Sequence, residues 1–191
     1  MAETRDGRFL ITVTNLPPLA VVERRQRGDD RGFLSRLYSI EAWEELGFTD
    51  RIVDVNHTLT RQRGTLRGMH YQTAPSAEDK FVSVIRGSVF DVALDLRRGS
   101  TTLGHWHGET LSAENRRAML IPKGFAHGFQ TLEDDCELIY FHTAAYDAEH
   151  EGGVNALDPA LGITWPLPIL TMSDRDRGFA PLAADFPGID S

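Results

Sequence analysis

Short apolar segments separated by glycine-containing turns run through most of this chain, and they constrain its fold more than any other feature. Phe81–Ile85 and Val89–Leu96 lie on either side of Arg86-Gly87-Ser88, a combination that predicts a β-hairpin. Three further segments repeat the strand pattern: Ile52–His57, residues 118–121 and residues 136–143. Strands separated by turns every 8–12 residues or so predict an antiparallel sandwich or barrel.

One helix is predicted, over Ser39–Leu46. Ser39 is a suitable N-cap and Gly47 a suitable terminator, while Ile40, Trp43 and Leu46 would turn toward the core. From about Asp147 the chain is rich in proline and poor in periodic signal, so we expect loops and short helices there. No internal repeat or linker divides the 191 residues, which predicts one domain spanning 1–191.

The overall charge argues against several classes of partner. A formal net charge of −8 and a pI of about 5.3 disfavour nucleic acid and anionic membranes. The N-terminal stretch lacks a secretory pattern, and no apolar run approaches the roughly 20 residues of a membrane span. Cys136 is the only cysteine, so no intrachain disulfide can form, and we expect it to be a buried thiol on a strand. A cytoplasmic protein is the simplest interpretation.

A histidine, a lysine and an arginine lie close together around residues 67–80. His70 follows Arg67 in RGMHYQ and could serve as a base near neutral pH, or be a structural histidine bonded to backbone. Lys80 opens the apolar segment that follows. It could stabilise an enolate oxygen, form a Schiff base with a ketone, or simply be solvated. Together these side chains suit an anionic substrate that loses a carbon-bound proton.

Two further side chains could complete such a site. Period-two alternation places Leu138, Tyr140 and His142 on one face of a strand, so Tyr140 points inward if Leu138 does. There it would either pack or deliver a proton to carbon. Asp176 lies in a charged segment and is either solvated or the partner that fixes the tautomer of His70.

A metal site is an alternative suggested by His105-Trp106-His107. Histidines two residues apart share one face of a strand, Glu109 lies on that same face, and His127 could be a third histidine ligand. Such spacing often arises by chance, so this alternative depends on how the strands are arranged.

The order of motifs along the chain resembles the dTDP-4-dehydrorhamnose 3,5-epimerase family of nucleotide-sugar epimerases, from about Val22 to Leu182. The resemblance rests on these segments: GDDRGFLSR at 28–36, NHT at 56–58, TLRGMHYQ at 65–72, KFVSVIRGSVFDVALDLRRGS at 80–100, LSAENRR at 111–117, IPKGFAHGFQTL at 121–132, DPALGITWP at 158–166 and SDRD at 173–176.

This resemblance implies a mainly β fold, a cupin-type double-stranded β-helix or jelly roll with a few short peripheral helices. It also implies a homodimer that needs neither metal nor other cofactor. The implied substrate is a nucleoside-diphosphate 4-keto-6-deoxy sugar, bound in the barrel and inverted at C3, C5 or both through an enolate.

The resemblance also implies roles for individual residues. His70 matches the general base, Asp176 its partner, Lys80 the lysine near the C4 oxygen, and Tyr140 the tyrosine that reprotonates carbon from the opposite face. The positions implied to contact substrate are Arg31, Arg36, Asn56, Arg67, Gln72, His127, Glu151 and Arg175.

Several positions depart from the family pattern. Arg36 stands where many members have a glutamate, Arg175 replaces a usual lysine, and Phe141-His142 replaces a more polar pair. The nucleotide, the sugar and the inverted carbon therefore stay open. Two other classes of function also stay open: a metal-dependent cupin enzyme, either a dioxygenase or an isomerase, and a non-catalytic sugar-binding jelly roll.

Overall fold

The computed structural model describes residues 1–190, and antiparallel strands dominate it. The strands are β1 (Ala2–Glu3), β2 (Phe9–Val13), β3 (Ala20–Arg24), β4 (Arg27–Asp29), β5 (Gly32–Leu34), β6 (Asp54–Thr60), β7 (Leu66–Gln72), β8 (Lys80–Arg86), β9 (Ser88–Asp95), β10 (Trp106–Ser112), β11 (Arg117–Ile121), β12 (Phe125–Thr131), β13 (Cys136–His142) and β14 (Glu151–Gly153). The helices are α1 (Ile40–Glu44) and α2 (Asp174–Arg177).

The strands form two facing sheets and one separate hairpin. The larger sheet has the order β1-β2-β3-β11-β8-β13-β6, and the smaller has the order β10-β9-β12-β7-β14. In the described part of the chain, strands β4 and β5 pair only with each other. Adjacent strands run antiparallel, and chain neighbours often lie in different sheets, as in a jelly roll. The predicted cupin-type jelly roll is confirmed.

The core lies between the two sheets. Inward side chains of β8 and β13, such as Val82, Val84 and Leu138, pack against Phe125 and Phe129 from β12 on the other sheet. On the outer faces, α1 covers the larger sheet and the C-terminal segment covers the smaller one. Both faces of β9 are therefore buried, including the carboxylates of Asp91 and Asp95.

The predicted hairpin at Arg86-Gly87-Ser88 is wrong. Strand β8 belongs to the larger sheet and β9 to the smaller one, so the chain crosses between sheets at this turn. Gly87 has φ of +75°, and a Cβ there would lie 2.8 Å from Cys136 Sγ. Glycine is needed because the crossing passes directly over the neighbouring strand.

The predicted helix is present but shorter, spanning Ile40–Glu44. Ser39 is its N-cap residue, although in the described chain its side chain makes no capping hydrogen bond. Trp43 is buried as expected, whereas Ile40 is exposed, so the inward assignment of Ile40 is wrong. Ala42 takes the buried position instead, because one short turn presents only one narrow face to the sheet. Among residues 1–190, no helix is long and apolar enough to cross a membrane.

Candidate active site

A cavity of about 270 Å³ opens between the two sheets and is lined by both. Its lining contains eight of the twelve predicted site residues: Asn56, Arg67, His70, Gln72, Lys80, His127, Tyr140 and Glu151. Two more, Asp176 and Arg175, bond directly to lining residues. The fold therefore brings together ten side chains that the sequence predicted to share a site, although they lie far apart along the chain.

A β-bulge turns Arg67 and His70 into the same cavity. They are three positions apart, so a regular strand would point them to opposite faces. Strand β7 gains a residue against β12 here, because Phe129 pairs with Arg67 while His127 pairs with His70. Gly68 makes this possible: its φ is +106°, and a Cβ on it would lie 2.6 Å from both Gly128 Cα and the His127 carbonyl oxygen.

His70, on the smaller sheet, forms a hydrogen-bonded pair with Asp176 of helix α2. His70 Nε2 lies 2.7 Å from Asp176 Oδ1, and the Asp176 side chain is only 6% exposed. Burial is the main influence on the pKa of His70 and lowers it, while the hydrogen bond and charge of Asp176 raise it. The net pKa lies below the ordinary value, so the ring is neutral at neutral pH. With the proton on Nε2, Nδ1 is the nitrogen that can accept another.

The short helix α2 positions Asp176 against His70. Ser173 caps the helix by accepting a hydrogen bond from the Asp176 backbone N–H, at 3.0 Å. The second carboxylate oxygen, Oδ2, accepts from the Gly68 N–H at 3.1 Å. Asp176 thus ties the helix, the bulge and the histidine together, and of its two predicted environments it has the one beside His70 rather than the solvated one.

Lys80 and Tyr140 occupy the opposite wall, on the larger sheet. Leu138, Tyr140 and His142 share the inward face of β13 as predicted. Burial raises the pKa of the Tyr140 phenol far above its ordinary value, and the charge of Asp91 adds to the effect. The phenol therefore keeps its proton until an acceptor appears. Lys80 Nζ bonds to Glu78 Oε1 at 3.0 Å.

An ion-pair cluster stands at the rim of the cavity. Glu151, on β14, accepts from the Tyr146 hydroxyl at 2.7 Å and is paired with Arg175. Burial alone would raise the pKa of Glu151, but its hydrogen bonds from Tyr146 and Arg175 hold it below the ordinary value. The arginine here is exposed enough to reach a ligand entering from solvent.

Two predicted contacts serve neighbouring protein groups as well. His127 Nε2 bonds to the fully buried carboxylate of Asp91 at 2.7 Å. Gln72 donates to the Ser76 carbonyl at 2.9 Å and accepts from the Asp147 N–H at 2.7 Å, so its amide holds the adjacent loop.

Arg31 and Arg36 lie outside the cavity of their own chain. Arg31 is on the tip of the β4–β5 hairpin, its side chain 89% exposed and paired with Asp29. Arg36 bonds to Asp6 at 3.0 Å. Neither lines the cavity when residues 1–190 are considered, so a single chain does not assemble all the predicted contacts.

The metal site suggested by His105-Trp106-His107 is not formed. Strand β10 begins at Trp106, which leaves His105 in the preceding turn. His107 and His127 both pair with Ala93 from opposite sides, so two strand spacings, about 10 Å, separate them. Across the described chain, no three His, Cys, Asp or Glu side chains are grouped to hold a metal ion. Cys136 is a buried free thiol as expected, and burial raises its pKa.

Sequence reasoning missed several polar residues of the cavity. Asp91, Glu78, Asp54 and Tyr146 line or support it, and His142 was assigned only to a strand face. Asp91 did carry a signal, because an acid that alternates with apolar residues in a buried strand needs a partner. Glu78 and Tyr146 lie in loops, where no periodicity reveals direction.

Comparison with known proteins identifies the family. The family model for dTDP-4-dehydrorhamnose 3,5-epimerase matches residues 13–184. The chain belongs to the dTDP-4-dehydrorhamnose 3,5-epimerase family. A curated family member from Pseudomonas aeruginosa is 48% identical over 170 residues, covering 86% of this chain and 93% of the relative. The predicted class of enzyme, a nucleotide-sugar epimerase, is thereby confirmed.

Solved structures of epimerases share the fold. The dTDP-6-deoxy-D-glucose-3,5-epimerase of Legionella pneumophila, solved with dTDP-4-keto-L-rhamnose, has 40% identity and a TM-score of 0.88, over 96% of this chain and 99% of that one. ChmJ, a 3′-monoepimerase of Streptomyces bikiniensis solved with dTDP-quinovose, has 32% identity and a TM-score of 0.80, over 88% and 85%. The similar proteins thus include both a 3,5-epimerase and a 3-epimerase.

Proposed function

We propose that this epimerase inverts C3, C5 or both in a dTDP-linked 4-keto-6-deoxy sugar. The observation that carries the proposal is the arrangement of the cavity: the His70–Asp176 pair on one sheet and Tyr140 with Lys80 on the other. A base and an acid on opposite walls suit removal of a proton from one face of a sugar and its return to the other.

The chemistry follows from the ketone at C4. Hydrogens on C3 and C5 are acidic because their loss gives an enolate whose charge rests on the C4 oxygen. His70 takes the proton, and the ammonium of Lys80 stabilises the oxygen as its charge develops. Tyr140 then gives its proton to the same carbon from the opposite face. The sugar regains its ketone with one centre inverted.

Charge at the cavity suits a nucleoside diphosphate. Arg67 lines the interior, and Arg175 stands at the rim beside Glu151. Guanidinium groups bind phosphate oxygens through two parallel hydrogen bonds, so these residues are proposed to hold the diphosphate. The dTDP ligands of the similar Legionella and Streptomyces enzymes support thymidine as the nucleoside.

We further propose a homodimer in which the β4–β5 hairpin of one copy reaches the cavity of the other. Among residues 1–190 the hairpin pairs with no other strand, and it exposes Phe33 and Leu34 at 68% and 59%. It carries Arg31, which its own cavity does not use. Light scattering should give a dimer for the wild type and a monomer for Phe33→Asp. A monomeric wild type would refute this part of the proposal.

The reaction is tested by incubating the enzyme in D2O with dTDP-4-keto-6-deoxyglucose and following the sugar protons by NMR. Exchange with inversion at both C3 and C5 indicates a 3,5-epimerase, and exchange with inversion at C3 alone indicates a 3-epimerase. His70→Ala should abolish exchange. An active His70→Ala variant would exclude His70 as the base, and a wild type without exchange would exclude this substrate.

We place the reaction in the cytoplasm, which the free thiol of Cys136 supports.

A further inference from the structure

A second carboxylate–histidine pair faces the cavity on the wall opposite His70. Glu78, in the loop before β8, has a side chain only 7% exposed, and both of its oxygens are bonded. Oε1 accepts from Lys80 Nζ at 3.0 Å, and Oε2 pairs with His142 Nδ1 at 2.7 Å. One buried carboxylate therefore holds two cavity-lining side chains at once.

Adjacent strands set the spacing of this cluster. His142 on β13 pairs directly with Lys80 on β8, so their side chains stand side by side on the inward face. The His142 ring stacks on Tyr140, with centroids 5.9 Å apart and planes inclined by 16°. His142 is thus fixed between two residues proposed to act on the sugar.

The bond to Glu78 decides which nitrogen of His142 carries hydrogen. Burial alone would raise the pKa of Glu78, but the hydrogen bond from His142 and the charge of Lys80 hold it below its ordinary value. The carboxylate is therefore ionised and can only accept, which requires His142 to donate from Nδ1. In the neutral ring Nε2 then carries a lone pair, on a side chain that lines the cavity.

We propose that His142 contacts the sugar, accepting at Nε2 a hydrogen bond from the C3 hydroxyl, and that Glu78 is the residue that positions it. The proposal rests on the proposed function, because Lys80 at the C4 oxygen would put its strand neighbour His142 beside the hydroxyl on the adjacent carbon, C3. Inversion at C3 moves this hydroxyl to the other face of the sugar. A fixed acceptor would therefore bind one C3 epimer better than the other.

The direct test follows histidine nitrogens by NMR in 15N-histidine-labelled enzyme, with His142→Phe used to assign the His142 signals. The probe is dTDP-quinovose, which keeps the C3 hydroxyl but has no ketone to react, and dTDP is the control ligand. We expect wild-type His142 to show a single Nδ1–H tautomer. Its Nε2 signal should move with dTDP-quinovose and stay in place with dTDP.

Glu78→Gln tests the positioning role. The Lys80 ammonium can only donate, so it holds the amide oxygen and leaves the NH2 group facing His142 Nδ1. Nδ1 must then accept, so the Nδ1–H tautomer and the ligand-dependent shift should be lost. Glu114→Gln, in the exposed turn between β10 and β11, is the matched control and should behave as wild type. A Glu78→Gln protein that keeps the tautomer and the shift would refute the positioning role.

Kinetics provide an independent measure. Loss of one hydrogen bond to the sugar in His142→Phe should lower kcat/KM about 10-fold. The same substitution should have no effect with a substrate that lacks the C3 hydroxyl. Equal losses with both substrates would overturn the proposed contact.

The NMR experiment separates failure of this inference from failure of the proposed function. If dTDP-quinovose shifts the His70 signals and leaves His142 unchanged, the sugar binds without the proposed contact and only this inference fails. If it moves neither histidine, the sugar does not enter the cavity, and the proposed function fails together with the inference.

Discussion

Asp176→Asn is the substitution that most directly tests the proposed base. The carboxylate accepts two hydrogen bonds, from His70 Nε2 at 2.7 Å and from the Gly68 N–H at 3.1 Å. An asparagine has one oxygen and one NH2 group in the same place, so it cannot accept both. If its oxygen faces Gly68, its NH2 faces His70 and forces the ring proton onto Nδ1, the nitrogen that should receive the substrate proton.

Either orientation of the asparagine is costly. If its oxygen faces His70 instead, NH2 and the Gly68 N–H meet as two donors in a buried site. Loss of one such bond destabilises the fold by about 1–3 kcal/mol. Because a ring with its proton on Nδ1 cannot accept the substrate proton there, we expect kcat/KM to fall by about 10²- to 10⁴-fold.

The pH dependence of kcat/KM should also shift in a defined direction. The hydrogen bond and charge of Asp176 raise the pKa of His70 against the larger, lowering effect of burial. Their removal lowers the pKa of His70 further, so the acidic limb of kcat/KM should move to lower pH while the plateau falls. The assay is the initial rate of exchange in D2O between pH 4 and 8 or so, with urea unfolding in parallel.

Asp174→Asn, an exposed change in the same short helix, is the control and should retain wild-type rates. If Asp176→Asn kept its rate within about threefold and its acidic limb in place, the pair would not be catalytic. The reasoning from its geometry would then be refuted.

Three further changes test other parts of the structure. Tyr140→Phe removes the opposite-face acid, so NMR in D2O should show solvent exchange continuing while inversion is lost; undiminished inversion would exclude Tyr140 as the acid. Gly68→Ala adds a Cβ where φ is +106° and backbone atoms lie 2.6 Å away. It should lower the free energy of unfolding in urea by about 3 kcal/mol or more. An unchanged unfolding midpoint would contradict the close approach at the bulge. Asp95→Asn should lower the free energy of unfolding by about 2 kcal/mol at neutral pH. Burial raises the pKa of Asp95, but hydrogen bonds from Arg97, Thr102 and Ser100 outweigh it and lower the pKa from 3.8 to about 2. This stability is fully present above pH 3.8 and is lost as the pH falls through about 2, so wild type and variant should converge there; a pH-independent difference would contradict the assignment.

Strand periodicity predicted the parts of this site that follow regular geometry. Alternation alone placed Leu138, Tyr140 and His142 on the same face of β13, and both Tyr140 and His142 line the cavity. The motifs shared with the family predicted the pairing of His70 with Asp176 across 106 residues of chain.

The failures occur where the backbone leaves regular geometry. Periodicity alone would place Arg67 and His70 on opposite faces of the strand. The bulge that brings them to one face depends on the close approach of Gly68 on β7 and Gly128 on β12, which periodicity does not predict. The glycine turn before β9 looked like a hairpin because local turn chemistry does not say which sheet receives the next strand. Glu78 escaped notice because its partners are defined only once β8 and β13 are paired.

The two walls of the cavity belong to different sheets, and this makes the rate of the reaction depend on the core. Leu138 and Val82 on one side, and Phe129 on the other, set how far apart the sheets stand. The same spacing sets the gap across which a proton leaves toward one sheet and returns from the other. A core substitution that never touches the sugar can therefore slow the enzyme by letting the sheets close or separate. Efforts to widen the cavity for larger sugars will meet the same constraint, because space gained between the sheets is also distance added between acid and base.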